Sequence, residues 1–392
     1  MTIDDLTIVS SAMKYDGIGK HGYLYIKMLE KYLNINCLLQ QPIIFTGITE
    51  PNIIKVFQTP INKSKVALWV NILGLNESMI PVHAQIFNNS EIKIAYSMIE
   101  STAIPKFWTQ ILNDYYDMVV VPDSFLVNVY KNSGVKIPIF VLPLPVLFND
   151  SDFEYQHEKN NIFTFGMTGS FLNKKNHIKL MHAFLSEFKG SKNVKLKLHG
   201  RFGSYKDKVF AEYDKLNAKN IELTSNPLSE SELDIFMKSL DCLVHVTKGE
   251  GFSVCPRNFL ALGKPVILSN NTAHKTIIDA GVVIPVKADI KEQAYYEVFN
   301  QNLGLYFDCK TEDVSKAMKN VYNNYDKHLK QAQQNRNWVK QYSIESLRKK
   351  YLSLLKPTNI ILSDNNEVED DCLKIQNKAL YEKFVKAFGD NA

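Results

Sequence analysis

Short runs of β-branched and aliphatic residues alternate with amphipathic stretches along this chain, and the alternation runs twice with a polar break between. This pattern is the signature of parallel sheets covered by helices, because joining parallel strands takes a helix-length crossover. In the first half, residues 6–10, 66–70, 92–97, 118–121 and 139–142 read as strands, with amphipathic segments at 22–33, 105–116 and 123–132. Residues 149–161, NDSDFEYQHEKNN, carry no apolar period and read as a linker. The alternation then restarts: strand 162–168, helix 175–188, strands 194–199 and 220–224, helix 229–240, then strands 242–246 and 265–268. Residues 311–355 are mostly helical by pattern, and 357–392 read as an acid-rich loop followed by an amphipathic helix over 373–388. A length of 392 residues fits about two domains. The expected organisation is an α/β domain over 1–150, a second over 151–343, and a segment 344–392 that packs back on the first.

Composition removes several classes. With 45% hydrophobic and 22% charged residues the chain is neither disordered nor fibrous. Its longest apolar stretch, 139–148, is interrupted by Pro143 and Pro145 and falls short of the ~20 residues of a spanning helix. Two acids stand near the N-terminus where a secretory signal carries positive charge, so export is not expected. The five cysteines are scattered and never spaced as CxxC, which gives neither a disulfide framework nor a zinc site and suits a cytoplasmic location. The net charge of +5 is mild and its lysines are interleaved with acids, so no nucleic-acid partner is expected. A small phosphorylated ligand suits the basic excess of the second half better.

The most informative stretch is 249–266, GEGFSVCPRNFLALGKPV. It follows a buried strand, turns through Gly249-Glu250-Gly251, enters a short helix with Pro256 near its start, leaves it at Gly263 and begins another strand. Such a turn aims backbone N–H groups and a helix N-terminus into the carboxyl edge of a parallel sheet, where an anionic ligand is stabilised. Taken alone, Glu250 reads equally as a ligand group or as a solvated loop carboxylate.

The passage resembles the signature of retaining GT-B glycosyltransferases of family 4: Glu250-Gly251-Phe252 opens the motif and Gly263-Lys264-Pro265-Val266 closes it at the matching spacing. The resemblance extends to about residue 355. Residues 166–184, GMTGSFLNKKNHIKLMHAF, look like the family's strand, loop and helix that meet the donor diphosphate, with Lys175 at the family's lysine. Residues 227–246 look like the helix and strand before the Glu motif, with Ser229 and Glu232 as a capping box. Residues 100–143 resemble a subgroup with Glu-x-x-x-x-Pro, a Trp and a Val-Pro-x-Ser-Phe strand end.

The resemblance implies a GT-B fold of two Rossmann-like domains facing a cleft, the first on the acceptor side and the second binding the nucleotide sugar. It implies transfer of a sugar from a UDP- or GDP-sugar to a glycan, lipid-linked or protein hydroxyl with retention, without cofactor or metal. Peripheral membrane contact stays open. Glu250, Lys175 and Glu100 are the candidate catalytic residues. Gly17, Gly19, Ser170, Lys174, Arg201, Gly251, Phe252, Ser253, Arg257, Asn258 and His274 are the candidate donor-binding residues. Two departures stand out: Ser170 replaces a frequent family arginine, and Asn258 replaces the second glutamate, which accepts ribose hydroxyls. Asn accepts through its carbonyl oxygen without charge assistance. A weakened or silent nucleotide-sugar binder, an epimerase and a phosphorylase remain as alternatives.

Gly17-Ile18-Gly19-Lys20-His21-Gly22 fits G-x-G-x-x-G, yet a long loop separates it from the preceding strand and no acid follows at 36–41, so a dinucleotide site is not expected. It reads as the glycine loop of a GT-B first helix or as a structural turn. Arg257 reads either as a phosphate ligand or as a solvent-facing or structural ion-pair group. Glu100, just past a strand, reads either as an acceptor or sugar contact or as a helix-start carboxylate. His83 reads as a polar loop residue, and Asp150-Ser151-Asp152 lies in the linker, away from any strand end where a metal-binding DxD would sit.

Overall fold

The computed structural model describes residues 4–14, 17–60, 63–71, 74, 76–79 and 90–389, so His83 lies outside the described residues. The chain forms two compact units, one of Met1–Leu147, Tyr295–Gly304 and Tyr342–Ala392, the other of Phe148–Ala294 and Leu305–Gln341. The segment 295–304, which the sequence pattern left inside the second domain, therefore belongs to the first.

The first unit is built from β1 (Asp4–Ser10), α1 (Gly17–Leu29), β2 (Ile35–Leu39), α2 (Pro51–Gln58), β3 (Ser64–Asn71), β4 (Ser90–Ser97), α3 (Lys106–Tyr115), β5 (Met118–Val121), α4 (Phe125–Asn132) and β6 (Ile139–Val141). The six strands form a parallel sheet in the order β2-β1-β3-β4-β5-β6. Covered on both faces, its strands read as apolar runs, and β5 is buried at every residue.

The second unit repeats the plan with α5 (Asp150–Glu154), β7 (Phe163–Thr168), α6 (His177–Phe188), β8 (Val194–His199), α7 (Lys206–Leu216), β9 (Ile221–Thr224), α8 (Glu230–Lys238), β10 (Cys242–His245), α9 (Val254–Ala261), β11 (Val266–Asn270), α10 (Thr272–Ala280) and β12 (Ile284–Lys287). Its sheet order is β12-β11-β10-β7-β8-β9. A hairpin of β13 (Ile290–Tyr296) and β14 (Gln301–Asp308) follows, then α11 (Thr311–Asn323), α12 (Tyr325–Ala332) and α13 (Asn335–Val339). The chain ends in α14 (Ile344–Leu355), a small sheet of β15 (Ile360–Leu362), β16 (Glu367–Val368) and β17 (Leu373–Ile375), and α15 (Lys378–Phe388). No described helix is long and apolar enough to cross a membrane.

Three sequence expectations change. The linker 149–161 contains α5, whose start is closed by the Asp152 carboxylate accepting the Asn149 N–H at 3.1 Å; five residues are too few to display a helical period. The expected helix over 373–388 begins only at Lys378, where the Asn377 side chain caps it by accepting the Leu380 N–H at 2.9 Å. Ahead of it, Leu373 and Ile375 bury alternate positions, the strand period. Helix α7 departs from the sequence pattern, which gives no helix between β8 and β9: its apolar face of Val209, Phe210, Tyr213 and Leu216 packs on the core, but only Val209 is fully buried and most of the rest of the helix is charged. The capping box holds: Ser229 Oγ accepts the Glu232 N–H at 3.2 Å and Glu232 accepts the Ser229 N–H at 2.7 Å.

The Gly263-Lys264-Pro265-Val266 run serves the fold. Gly263 sits at φ +66°, and a Cβ there would lie 2.6 Å from Arg336 Nε, so only glycine fits. Fully buried Lys264 donates from Nζ to the carbonyls of Met237 (2.9 Å), Lys238 (3.0 Å) and Leu240 (2.5 Å), closing the C-terminal end of α8. Burial pushes its pKa down to about 7. Lys264→Met strands these carbonyls without a donor and is expected to destabilise the protein by about 3 kcal/mol; an unchanged urea midpoint would refute this role.

Candidate functional site

In the second unit, β8 and β9 lie to one side of β7, and β10, β11 and β12 lie to the other. The strand order therefore reverses between β7 and β10, and open α/β sheets form their ligand crevices at the carboxyl ends of strands at that reversal. The loops leaving these two strands carry Lys175 and Glu250.

The loop after β7 is shaped by its backbone. The Gly169 N–H donates to the His199 carbonyl at 3.0 Å and that of Phe171 to the Phe202 carbonyl at 2.7 Å, tying it to the loop after β8. A single turn, Asn173–Lys175, leads to Asn176 in the left-handed region at φ 60°. Asn176 Nδ2 donates to the Val246 carbonyl and to Asp308 Oδ1, both at 2.8 Å. Lys175 Nζ is thereby delivered 2.5 Å from Glu250 Oε1.

The loop after β10 is held from the other side. The Glu250 N–H donates to Thr272 Oγ1 at 2.9 Å, and the Glu250 carbonyl accepts the Ala273 N–H at 3.3 Å, so the start of α10 fixes this peptide. Ser253 precedes α9 in the left-handed region at φ 65°, and its hydroxyl lies 2.8 Å from His274 Nε2. His274 in turn lies 3.3 Å from His245 Nδ1 and 3.1 Å from the Ser269 carbonyl.

Burial acts to raise the pKa of Glu250, but the ammonium groups of Lys175 and Lys174 outweigh it and hold the carboxyl well below the usual range. At neutral pH it is an anion beside a cation. Around this pair, burial pushes the histidines the other way: His274 falls to about 4, His177 to about 3, and His245 well below its ordinary value. All three are neutral at pH 7.

Among the other residues singled out in the sequence, Ser170 and Arg201 are half-buried at the ends of β7 and β8, with the Arg201 guanidinium 5.1 Å from the Phe202 ring centroid. Lys174 is buried, and its carbonyl accepts the Lys248 N–H at 2.8 Å. Gly251 and Phe252 are buried in the Glu250 loop. Arg257 and His274, read from sequence as donor-side groups, are both 0% exposed. The Arg257 guanidinium lies 3.8 Å from the Phe252 ring centroid and donates to the carbonyls of Phe252 and Ser253, so it braces the loop and presents no surface to solvent. The sequence supplied the side-chain type; the fold of the loop back over the first turn of α9 turned it inward. Asn258 is half-buried, and its Oδ1 is buried with no hydrogen-bond partner.

Gly17, Gly19 and Glu100 belong to the first unit. The glycines lie inside the first turn of α1 instead of in a loop ahead of it. The Gly19 carbonyl accepts the Met13 N–H at 2.9 Å, and a Cβ at Gly22 would lie 2.1 Å from the Ser11 carbonyl oxygen, so the spacing serves close packing of α1 on the end of β1. Glu100 is half-buried just beyond the carboxyl end of β4. Asp152 of the DxD triplet pairs with Lys238 at 3.3 Å. Among the described residues no group of three or more His, Cys, Asp or Glu is placed to hold a metal ion. Thr272 and Asn176, which fix the positions of Glu250 and Lys175, are not among the candidate site residues read from the sequence, although Asn271-Thr272-Ala273-His274 resembles the family's donor-side loop.

Residues 149–338 match the family described as glycosyl transferases group 1. No curated protein sequence matches the chain. Among solved structures, HepE from Anabaena, in complex with UDP and glucose, is 11% identical at a TM-score of 0.64, the match covering 90% of this chain and 99% of HepE. An alpha,alpha-trehalose-phosphate synthase (UDP-forming) from Burkholderia vietnamiensis is 8% identical at a TM-score of 0.64, covering 90% of this chain and 98% of the synthase. A substituted TarM from S. aureus, in complex with Fondaparinux, alpha-GlcNAc-glycerol and UDP, is 15% identical at 0.55, covering 75% of this chain and 56% of TarM. At these identities the likeness gives the fold, which is GT-B.

Proposed function

We propose, from the match of residues 149–338 to the glycosyl transferases group 1 family and the GT-B fold of the chain, that the protein moves a sugar from a nucleoside diphosphate sugar to an acceptor hydroxyl with retention of anomeric configuration. The observation that carries this reading is the Lys175–Glu250 pair, 2.5 Å apart at the reversal of strand order.

The transition state separates an oxocarbenium-like sugar from a diphosphate that gains negative charge, so placed positive charge lowers the barrier most. Lys175, the backbone N–H groups of Gly251 and Phe252, and the N-terminus of α9 supply it. Arg201 and the Ser170 hydroxyl extend the phosphate site. With lysine meeting this charge, no metal ion is required. Glu250 is held ionised, so it acts as a hydrogen-bond acceptor for sugar hydroxyls and as a counter-charge to the sugar cation, not as a proton carrier at neutral pH. Asn258 Oδ1 accepts from the ribose. The departing phosphate oxygen takes the acceptor proton on the same face, which makes a side-chain base unnecessary. Arg257, His274 and buried Lys174 support the site from behind. The first unit, through Glu100, recognises a glycan, lipid-linked or protein acceptor. UDP in the HepE and TarM structures favours a uridine donor.

Thermal-shift measurements with UDP and GDP, followed by nucleotide release from UDP-glucose, UDP-N-acetylglucosamine and GDP-mannose, test this. A rise in melting temperature with one nucleotide and release from its sugar conjugate are expected. Binding without release would favour a silent nucleotide-sugar binder, the reading that Asn258 in place of a glutamate supports. No binding of either nucleotide would overturn both.

A further inference from the structure

The tip of the β13–β14 hairpin, Tyr295–Gly304, is part of the first unit, where it meets the loop that follows β4. Tyr296 Oη accepts the Glu100 N–H at 3.2 Å and donates to Ser101 Oγ at 3.1 Å, so one hydroxyl bridges consecutive residues. Ser101 is fully buried. The Phe299 ring stands edge-on to Phe107 and Trp108, at centroid distances of 5.9 and 5.6 Å, and Leu303 enters the same core. Gly304, at φ +70°, brings the strand so close that a Cβ would lie 2.4 Å from Thr102 Oγ1. Residues 98–105 contain no helix or strand, so their path depends on such contacts.

We propose that Tyr296 is a positioning residue for acceptor recognition: its hydroxyl fixes the backbone at Glu100, so that the Glu100 carboxylate stands in one place to accept hydrogen bonds from the hydroxyls of a carbohydrate acceptor. The proposal rests on the glycosyl-transfer reading above. A carboxylate has two oxygens with lone pairs in one plane, which suits adjacent hydroxyls on a sugar ring. A loop free to move would spread that carboxylate over many positions and lose the alignment on which transfer depends.

The test uses the full chain, the sugar nucleotide it hydrolyses, and methyl α-D-glucopyranoside, methyl α-D-galactopyranoside and methyl α-D-mannopyranoside as acceptor probes. Tyr296→Phe keeps the ring and removes both hydrogen bonds. It is expected to leave nucleotide binding and release with water as acceptor within about twofold, to raise the KM for the accelerating glycoside about tenfold, roughly the effect of one lost hydrogen bond, and to speed hydrogen exchange at the Glu100 amide. Glu100→Gln is expected to raise the same KM. The double variant is expected to be no worse than Glu100→Gln alone, because Tyr296 acts through Glu100. A normal KM for Tyr296→Phe, unchanged exchange at Glu100, or effects that multiply in the double variant would overturn the positioning role. Donor hydrolysis that no glycoside accelerates would overturn the carbohydrate class. Failure of the glycosyl-transfer reading itself is distinct: the unsubstituted protein then releases no nucleotide at all.

Discussion

Lys175→Ala is expected to lower sugar transfer by about 10²–10³-fold, the usual effect of removing one group that stabilises transition-state charge, and Glu250→Gln by a similar factor. Neither single variant is clean, because the two side chains are only 12% and 8% exposed and removing one partner takes a close counter-charge from the other in a buried place. A loss of activity alone would not separate chemistry from folding. The double variant Lys175→Met/Glu250→Gln does, since it removes both charges at similar volume. Its urea midpoint is expected to recover most of the loss seen in the single variants, while transfer stays at the level of the worse single variant. Normal turnover in the double variant, measured as nucleotide release with the best donor, would remove both residues from the mechanism.

Asp241→Ala is expected to destabilise the second unit by about 3–5 kcal/mol, the range for breaking a buried charged network by deleting one partner. This fully buried carboxylate accepts from the His157 ring (2.9 Å), the Asn160 N–H (2.9 Å), Asn160 Nδ2 (2.8 Å) and the Thr164 N–H (2.7 Å), joining the polar stretch before β7 to the start of β10. Burial acts to raise its pKa, but these donors outweigh it and bring it below its ordinary 3.8. Its contribution is therefore complete above that value and is lost as pH falls through the lower, folded one. The buried histidines extend the loss to milder acid. Their folded pKa values, about 3 for His177 and about 4 for His274, lie below the ordinary 6.5. The unfolded chain takes up their protons first, so stability falls as pH drops from 6.5, by up to about 1.4 kcal/mol per pH unit for each histidine. Urea midpoints measured from pH 7.5 to 4.5 are expected to decline steadily; a flat profile to pH 5 would contradict neutral buried histidines.

Much of the site was legible because its residues announce themselves by local chemistry. A carboxylate between glycines after a buried strand, and a lysine in the loop after the first strand of a second α/β unit, mark the carboxyl edge of a sheet, and there Lys175 and Glu250 meet. Other residues were legible in type but not in direction. Arg257 had the donors for a phosphate, yet its guanidinium covers Phe252 and the carbonyls of its own loop. Lys264 stood in a motif that read as part of the site, yet its ammonium ends α8. A side chain's orientation depends on neighbours far along the chain, such as Met237 for Lys264, and no local pattern records them.

Two α/β sheets and the places where chemistry concentrates can be read from local pattern, because strand and helix periods, capping and turn glycines are properties of neighbouring residues. That residues 295–304 join the first unit, that Tyr296 reaches back 196 positions to the Glu100 amide, and that Lys175 and Glu250, 75 positions apart, form one ion pair emerges only in the folded chain. Such long-range pairings depend on strand order and on which surfaces must be buried together, and those are fixed only when the whole chain closes on its cores.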